Sequence, residues 1–204
     1  MIFDLTIPFD ENAPVYPGVP KPKISSVLNI DKDGFNELMI TFPTHTGTHI
    51  DAPFHFLKNG KKLSDFDISY FIGEAIVIDC RNKSEIILTK ADLSKIKKDD
   101  FVFLYTAHSD NYLKGDYFTD YPVISEKTAR ALVVKRARVV GIDSPSPDKA
   151  PYKIHYILLG KRIPIIENLY NLAVLAGKRF KCIIAPLNIK DADGAPCRVI
   201  AMGD

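Results

Sequence analysis

A cluster of histidines constrains this chain more than any other feature of its sequence. Three of the five histidines, His45, His49 and His55, fall within eleven of the 204 residues. In an extended strand the first two imidazoles would lie about 13 Å apart, at about 3.3 Å per residue, too far to share one ion at about 2.1 Å. A helix would bring them together, but Gly47 and the flanking prolines disfavour one. The segment therefore predicts a tight bend around Gly47 that folds His45 back beside His49.

The residues after the bend complete a candidate metal site. Asp51, two residues beyond His49, supplies a carboxylate from the same side. Two imidazoles and one carboxylate form an open ligand set for zinc, manganese or iron, with a water in the free position. Pro53 directs the chain away so that His55 overhangs the site, where an imidazole is suited to proton transfer. The competing interpretation, unrelated polar loop residues, is weaker because four ligand-type residues share eleven positions.

Composition excludes several classes of protein. The 27 basic and 25 acidic residues leave a net charge of +2, too small to indicate a nucleic acid or another polyanion as partner. No apolar run reaches the ~18 residues of a membrane helix, and the N-terminal residues lack the pattern of a signal peptide. Three cysteines without a C-x-x-C pair argue against a disulfide framework. We therefore expect a soluble cytoplasmic protein with one domain spanning residues 1–204 and no membrane partner.

Hydrophobic patterns predict a mixed α/β or α+β fold. Seven strands are predicted by runs rich in Val, Ile and Phe: Ile2 to Ile7, Glu37 to Phe42, Glu74 to Asp79, Phe101 to Thr106, Arg138 to Ile142, Lys181 to Ala185 and Arg198 to Met202. Three helices are predicted: Thr89 to Lys97, Ser125 to about Lys135 and Lys153 to Gly160. The order of the strands does not follow from these patterns.

Residues 45–55, HTGTHIDAPFH, resemble the H-x-G-T-H-x-D-x-P-x-H signature of the cyclase family of metal-dependent hydrolases. This family includes bacterial kynurenine formamidase (arylformamidase) and isatin hydrolase. Further similar segments follow the family's order along nearly the whole chain. They are PVYPG at 14–18, GIDSP at 141–145, the pair His155 and Glu167, APL at 185–187 and DGAPCR at 193–198. The chain is therefore identified as a member of the cyclase family.

The resemblance implies a fold, an assembly and a set of site residues. The implied fold is a single swivelling β/β/α domain of the mixed α/β class, and family members are commonly homodimers or larger. The implied site residues are His45, His49 and Asp51 on one metal ion, His155 and Glu167 with bridging Asp51 on a second ion, and His55 as the catalytic acid/base.

These features predict a metal-dependent amidohydrolase acting on a small molecule. The substrate would be an aryl formamide, such as N-formylkynurenine, or a cyclic amide such as isatin. The cofactor would be a divalent metal, zinc in the first place and manganese in the second, with one or two ions bound. Amide hydrolysis needs an activated water, a polarised carbonyl and a proton for the departing nitrogen, and His55 would supply the proton.

Two alternatives stay open at this point. One is a non-haem Fe(II) oxygenase with His49, Asp51 and His155 as ligands and Arg162 binding a 2-oxo acid. That interpretation expects an all-β barrel, contrary to the predicted helices. The other is a non-catalytic metal-binding protein of the same fold.

Several further residues have weaker indications. Tyr16 is a candidate for the wall of the substrate pocket, although its turn could simply expose an aromatic ring. His108 follows a predicted strand end, where loop residues often line sites, so a substrate contact is one interpretation. Asp143 and Asp148 are expected to serve a proline-containing turn rather than the chemistry. The cysteines are expected in the core or in loops.

Overall fold

The computed structural model describes residues 1–203, in which twelve strands and four α-helices are joined by loops and five short 3-10 turns. The strands are β1 (Ile2–Asp4), β2 (Lys23–Leu28), β3 (Glu37–Thr41), β4 (His49–Asp51), β5 (Ile72–Asp79), β6 (Glu85–Ile86), β7 (Phe101–Tyr105), β8 (Val123–Ile124), β9 (Val139–Ile142), β10 (Ile165–Glu167), β11 (Arg179–Pro186) and β12 (Gly194–Met202). The helices are α1 (Ile30–Asp33), α2 (Lys90–Lys95), α3 (Glu126–Val134) and α4 (Lys153–Leu159). The 3-10 turns are Pro53–His55, Leu63–Asp65, Ile68–Phe71, His108–Asn111 and Leu172–Leu175.

Eight of the strands form one mixed sheet in the order β1-β12-β11-β5-β7-β9-β10-β4. Strand β4 also pairs with β12, which closes the sheet into a barrel-like ring, with β1 continuing along the same edge of β12. The neighbours β5, β7, β9 and β10 run parallel, and the remaining pairs of this sheet are antiparallel. The predicted mixed α/β class is confirmed.

Strand β4, which has only three residues, carries two of the predicted ligands. In β4, His49 lies opposite Glu167 of β10 on one side and Pro196 of β12 on the other. Asp51 lies opposite Ile165 in the same way. Directly opposed residues of an antiparallel pair have Cβ atoms about 4.5–5.5 Å apart. Residues more than a hundred positions apart in the chain therefore meet because β4 closes the barrel.

Two of the three predicted helices begin where their capping residues indicate. Thr89 and Asp92 form a reciprocal capping box at the start of α2. The Ser125 hydroxyl accepts a hydrogen bond from a backbone N–H in the first turn of α3, which buries Leu132. Helix α2 ends two residues earlier than predicted because Ile96 adopts an extended backbone.

Several predicted strands differ from the observed ones in length or existence. Strand β1 ends at Asp4 rather than at Ile7, whereas β11 and β12 extend beyond their predicted starts. The sequence predicts no strand at β2, β4, β6, β8 or β10. Strands β4 and β10 have three residues each, too few to show an alternation of apolar and polar side chains, and both contain ionisable residues.

Buried side chains form two main clusters, one on each face of the sheet. One includes Phe103, Ile166 and Val199, and the other packs helices α3 and α4 on the sheet through residues such as Leu132 and Leu158. The three cysteines are buried and unpaired, as the sequence indicates. Within residues 1–203, no helix is both long and apolar enough to span a membrane.

Strands β2 and β3 form a separate hairpin whose surface is largely exposed. Every residue of β3 is exposed, including Leu38, Met39 and Ile40. The chain passes from this hairpin directly into the histidine segment.

We expect Gly141→Ala to destabilise the fold by about 1–3 kcal/mol through overpacking. A Cβ on Gly141, in β9, would lie 2.5 Å from Leu169 Cδ1 and 2.7 Å from Phe103 Cδ1, both in the core. Urea unfolding measures the change. Gly115→Ala is the matched control, since a Cβ there meets nothing within 4 Å. Equal stability of the two variants would contradict this description of the core.

Candidate active site

The predicted bend is present at Gly47. Its backbone has φ of +64°, a left-handed conformation that glycine adopts without steric cost. The bend brings the ring centroids of His45 and His49 to 5.0 Å, with the two planes perpendicular. A local, glycine-dependent turn therefore places the two imidazoles side by side.

His49 is fixed so that one ring nitrogen faces the site. Its Nδ1 donates to the carbonyl oxygen of Gly47 at 2.8 Å, which leaves Nε2 as an acceptor. That Nε2 lies 3.2 Å from Glu167 Oε2 and 3.4 Å from Asp51 Oδ1. Both His49 Nε2 and Asp51 Oδ2 are buried without a hydrogen-bond partner. Buried lone pairs that converge in this way fit a bound cation, because a cation would satisfy all of them at once.

His155 approaches the same carboxylates from α4. Its Nε2 lies 3.4 Å from Glu167 Oε1 and 3.7 Å from Asp51 Oδ2. Its Nδ1 is held by Asp148 Oδ1 at 2.6 Å. Asp148 Oδ2 also accepts the backbone N–H of Ile154 at 2.6 Å, in the first turn of α4. One carboxylate thus anchors the start of the helix and the orientation of the histidine that the helix carries.

The five residues predicted as metal ligands form two groups that share Asp51. In each group the ligand-type atoms lie within 4.8 Å of one another: His45, His49 and Asp51 in one, and Asp51, His155 and Glu167 in the other. Nitrogen and carboxylate oxygen are the donors that zinc and manganese accept. The arrangement fits one or two divalent ions, and the individual roles of these residues stay predictions.

The buried carboxylates determine the charge of the neighbouring imidazoles. Burial lowers the pKa of His45, but the carboxylates of Asp51 and Asp193 outweigh it and raise that pKa to about 10. Burial also lowers the pKa of His155, and its contacts with Asp148, Asp51 and Glu167 raise it well above the usual value. Burial raises the pKa of Asp51, but the charge of His45 and the nearby imidazole of His155 bring it well below the usual range. Without metal, protonated imidazoles therefore balance the buried carboxylates.

His55 overhangs the ligand cluster, as the sequence predicts. It ends the 3-10 turn Pro53–His55, and its ring stacks on that of His45 at 3.9 Å. Its Nδ1 lies 3.5 Å from Asp193 Oδ2, and its side chain is 29% exposed. His55 is therefore the most accessible of the four clustered histidines, although its catalytic role stays a prediction.

A cavity of about 410 Å³ opens above these residues. Its base is polar and includes His45, His49, His55, His155 and Glu167. Its outer wall is mainly apolar and aromatic and includes Pro14, Tyr16, Val19, Phe56, Phe118 and Tyr152. Tyr16 thus lines the cavity, and its hydroxyl lies 3.1 Å from that of Tyr152.

Three residues that contact the site are not among the site residues predicted from the sequence. Asp148 was expected to serve a turn, but it holds His155. Asp193 was noted only as part of a motif, but it accepts from His45 Nε2 at 2.9 Å. Asn168 was not noted, although it follows Glu167; its Nδ2 donates to the Gly47 carbonyl at 2.9 Å. Proximity in sequence to a predicted ligand was the only signal available for Asn168.

Two other expectations are changed by the structure. His108 does not line the cavity, since its Nε2 hydrogen-bonds to the Tyr117 carbonyl at 2.9 Å and its ring stacks on Tyr117. Asp143 does not serve the proline turn through its side chain. Its carboxylate accepts from the backbone N–H groups of Thr106 and Ala107 and from the Thr106 hydroxyl. Both residues therefore stabilise the loop that follows β7.

Comparisons with known proteins identify relatives of the chain in sequence and in fold. The Cyclase family model matches residues 3–149 of the chain. Kynurenine formamidase of Bacillus thuringiensis subsp. konkukian (strain 97-27) is 32% identical over 201 residues, which cover 97% of this chain and 95% of that protein. A solved structure described as a potential metal-dependent hydrolase with cyclase activity has a TM-score of 0.83 and 30% identity, covering 98% of this chain and 96% of that one. Isatin hydrolase A from Labrenzia aggregata has a TM-score of 0.89 and 27% identity, covering 99% and 93%.

We expect metal binding to release protons and to strengthen as the pH rises. The raised pKa of His45, about 10, means that this imidazole is protonated in the metal-free protein at neutral pH, so an ion must displace its proton. Affinity should therefore increase with pH up to about that value. Isothermal titration calorimetry in two buffers of different ionisation enthalpy counts the protons released.

The comparison variant is Asp193→Asn, which removes one of the carboxylates that raise the pKa of His45. On binding metal, this variant should release fewer protons than the unmodified protein at the same pH. If the heats in the two buffers were equal for the unmodified protein, no proton would be displaced and the charge assignment would be wrong.

Proposed function

Because this chain belongs to the cyclase family of metal-dependent hydrolases, we propose that it hydrolyses an aromatic amide, either an aryl formamide or a cyclic amide. The relatives named kynurenine formamidase and isatin hydrolase act on amide bonds of these two kinds. The observation that carries the proposal is the fully buried Asp51 carboxylate, shared by two groups of ligand-type residues at the base of one cavity.

The proposed cofactor is a divalent ion, zinc in the first place and manganese in the second. His45, His49 and Asp51 would hold one ion, and His155 and Glu167 would hold a second with Asp51 between them. The unpartnered His49 Nε2 and Asp51 Oδ2 support this assignment. When bound, such an ion lowers the pKa of its water and polarises a carbonyl oxygen.

We assign proton transfer to His55. In hydrolysis of a formamide, the oxygen of water bonds to the formyl carbon, the C–N bond breaks, and the departing nitrogen takes a proton to give formate and an amine. His55 Nδ1 faces Asp193, which leaves Nε2 to exchange that proton with the substrate. Stacking on His45 limits rotation of the ring and keeps it over the ligand cluster.

Other side chains act by orienting the ligands. Asp148 holds the His155 ring, and Asn168 holds the Gly47 carbonyl to which His49 donates. Partners of this kind fix the tautomer of a ligating histidine. The geometry of the cluster therefore depends on residues that do not themselves face the ion.

The two alternative functions find no support in this geometry. Arg162, proposed to bind a 2-oxo acid, does not line the cavity and instead lines a separate cleft with Tyr70. An oxygenase with three ligands would also leave His45, His55 and Glu167 without a role. A non-catalytic metal-binding protein would not need an acid/base overhanging its ligands.

We also propose that residues 1–204 act as one domain in the cytoplasm. The three buried, unpaired cysteines support a reducing environment.

We expect His55→Ala to keep its metal and to lose turnover by about 10²–10⁴-fold, the usual contribution of a positioned general acid or base. Elemental analysis measures the metal, and hydrolysis of an aryl formamide measures the turnover. Asp51→Ala is the comparison variant and should lose most of its metal, because both ligand groups share Asp51. Metal loss in His55→Ala, or full metal content in Asp51→Ala, would contradict these roles.

We expect the chain to form a homodimer or a larger homo-oligomer through the β2–β3 hairpin. Leu38, Met39 and Ile40 are each about half exposed there, an arrangement typical of a surface that is covered in an assembly. Light scattering after size-exclusion chromatography measures the mass. Met39→Asp should reduce it, whereas Val134→Asp, on a still more exposed residue of α3, should not. A monomer at micromolar concentration would contradict the proposal.

A further inference from the structure

A chain of hydrogen bonds leads from the loop between β7 and β8 to the bend beside His49. The Tyr117 hydroxyl donates to Asn168 Oδ1 at 2.6 Å, and Asn168 Nδ2 donates to the Gly47 carbonyl at 2.9 Å. His49 Nδ1 donates to the same carbonyl at 2.8 Å. Tyr117 is therefore connected through one side chain to the carbonyl that orients a predicted metal ligand.

The Gly47 carbonyl depends on its neighbours for its direction. Glycine accepts a wide range of backbone angles, so Gly47 itself restrains the peptide plane that follows it only weakly. Asn168 Nδ2 holds the oxygen of that plane, and the Thr48 hydroxyl donates to the backbone carbonyl of Asn168 at 2.6 Å. Asn168 thus restrains the bend through both its side chain and its backbone.

The side chain of Asn168 in turn depends on Tyr117. Asn168 borders the cavity but is only 5% exposed. A buried amide oxygen without a donor is costly. Without the Tyr117 hydroxyl, Oδ1 would gain by turning toward the cavity, and that rotation would take Nδ2 away from the Gly47 carbonyl. The hydroxyl therefore keeps the amide directed at the bend.

Tyr117 is held in place by His108, the histidine that lies outside the cavity. The two rings stack with their centroids 4.8 Å apart, and His108 Nε2 donates to the backbone carbonyl of Tyr117 at 2.9 Å. Tyr117 is 1% exposed, and burial raises the pKa of its hydroxyl well above the usual value. The hydroxyl therefore keeps its proton and remains a donor to Asn168.

We propose that Tyr117 is a positioning residue for His49. Acting through Asn168, it fixes the direction of the Gly47 carbonyl. That carbonyl keeps the proton of His49 on Nδ1 and directs Nε2 at the ligand cluster. The inference rests on the proposed function, in which His49 holds a metal ion. Tyr117 does not line the cavity and is assigned no contact with substrate.

The first test is the zinc affinity of Tyr117→Phe, measured by competition with a chromophoric chelator. This variant keeps the ring and loses only the hydroxyl, and we expect its affinity to fall about tenfold, as when other orienting partners of a metal ligand are removed. Tyr112→Phe is the matched control, because the Tyr112 ring is buried 5.3 Å from that of Tyr117 and its hydroxyl has no hydrogen-bond partner within residues 1–203. The control should bind zinc as the unmodified protein does. Equal affinities of the two variants would contradict the inference.

A double-mutant cycle tests whether Tyr117 acts through Asn168. Asn168→Gly removes the side chain, and glycine suits the left-handed backbone at this position, where φ is +57°. Residues of one hydrogen-bond network have effects that are not additive. In the Asn168→Gly background, Tyr117→Phe should therefore change zinc affinity by less than about twofold. A further tenfold loss would mean that Tyr117 acts by another route, and the inference would be wrong.

The tautomer of His49 is a readout that requires no metal. Long-range proton–nitrogen correlation spectra of histidine-labelled, metal-free protein, recorded where His49 is neutral, show which ring nitrogen carries the proton. The proton should lie on Nδ1 in the unmodified protein and in Tyr112→Phe, and on both nitrogens in part in Tyr117→Phe. A purely structural role of Tyr117 would lower stability without moving this proton.

The same spectra separate failure of the inference from failure of the proposed function. An unchanged tautomer in Tyr117→Phe would overturn the positioning role and leave the metal site standing. If the unmodified protein binds no zinc, the proposed metal site fails, and the tautomer of His49 still decides whether Tyr117 positions it.

Discussion

A carboxylate with no exposure to solvent, that of Asp51, is the interaction on which the rest of the site depends. A buried charge is tolerated only with compensating charges or hydrogen bonds, and here His45, His49 and His155 surround it. They reach it from the bend, from β4 and from α4. These groups come together only because the barrel closes through β4. This strand is therefore needed both for the fold and for the arrangement of the site.

In three of the four clustered histidines, a neighbouring oxygen faces Nδ1 of the ring and leaves Nε2 free to face the site. His49 Nδ1 is held by the Gly47 carbonyl and His155 Nδ1 by Asp148, so that each ring directs its other nitrogen at the buried carboxylates. His55 Nδ1 similarly faces Asp193. Because a neutral imidazole has one donor and one acceptor nitrogen, fixing one of them determines what the other can do. The orienting residues therefore determine which nitrogen of each of these rings faces the site.

The cavity has two parts that differ in the chemistry of their side chains. Its base concentrates ionisable groups that can hold an ion and move a proton, and its mouth presents aromatic and apolar surface. The groups that could hold an ion and move a proton are therefore separated from the surface that would contact the rest of a substrate. The residues that form the mouth come from loops, which often carry binding residues on a rigid scaffold.

The sequence by itself determined the features that depend on short-range geometry: the bend at Gly47, the spacing of His45, His49, Asp51 and His55, and the starts of α2 and α3. These follow from conformational preferences and capping within a few residues. The order of the strands, the meeting of His49 with Glu167, and the contacts of Asp148 and Asn168 were decided by the tertiary structure. Strands as short as β4 and β10 have no detectable pattern of their own, and residues distant in the chain become neighbours only when the barrel closes.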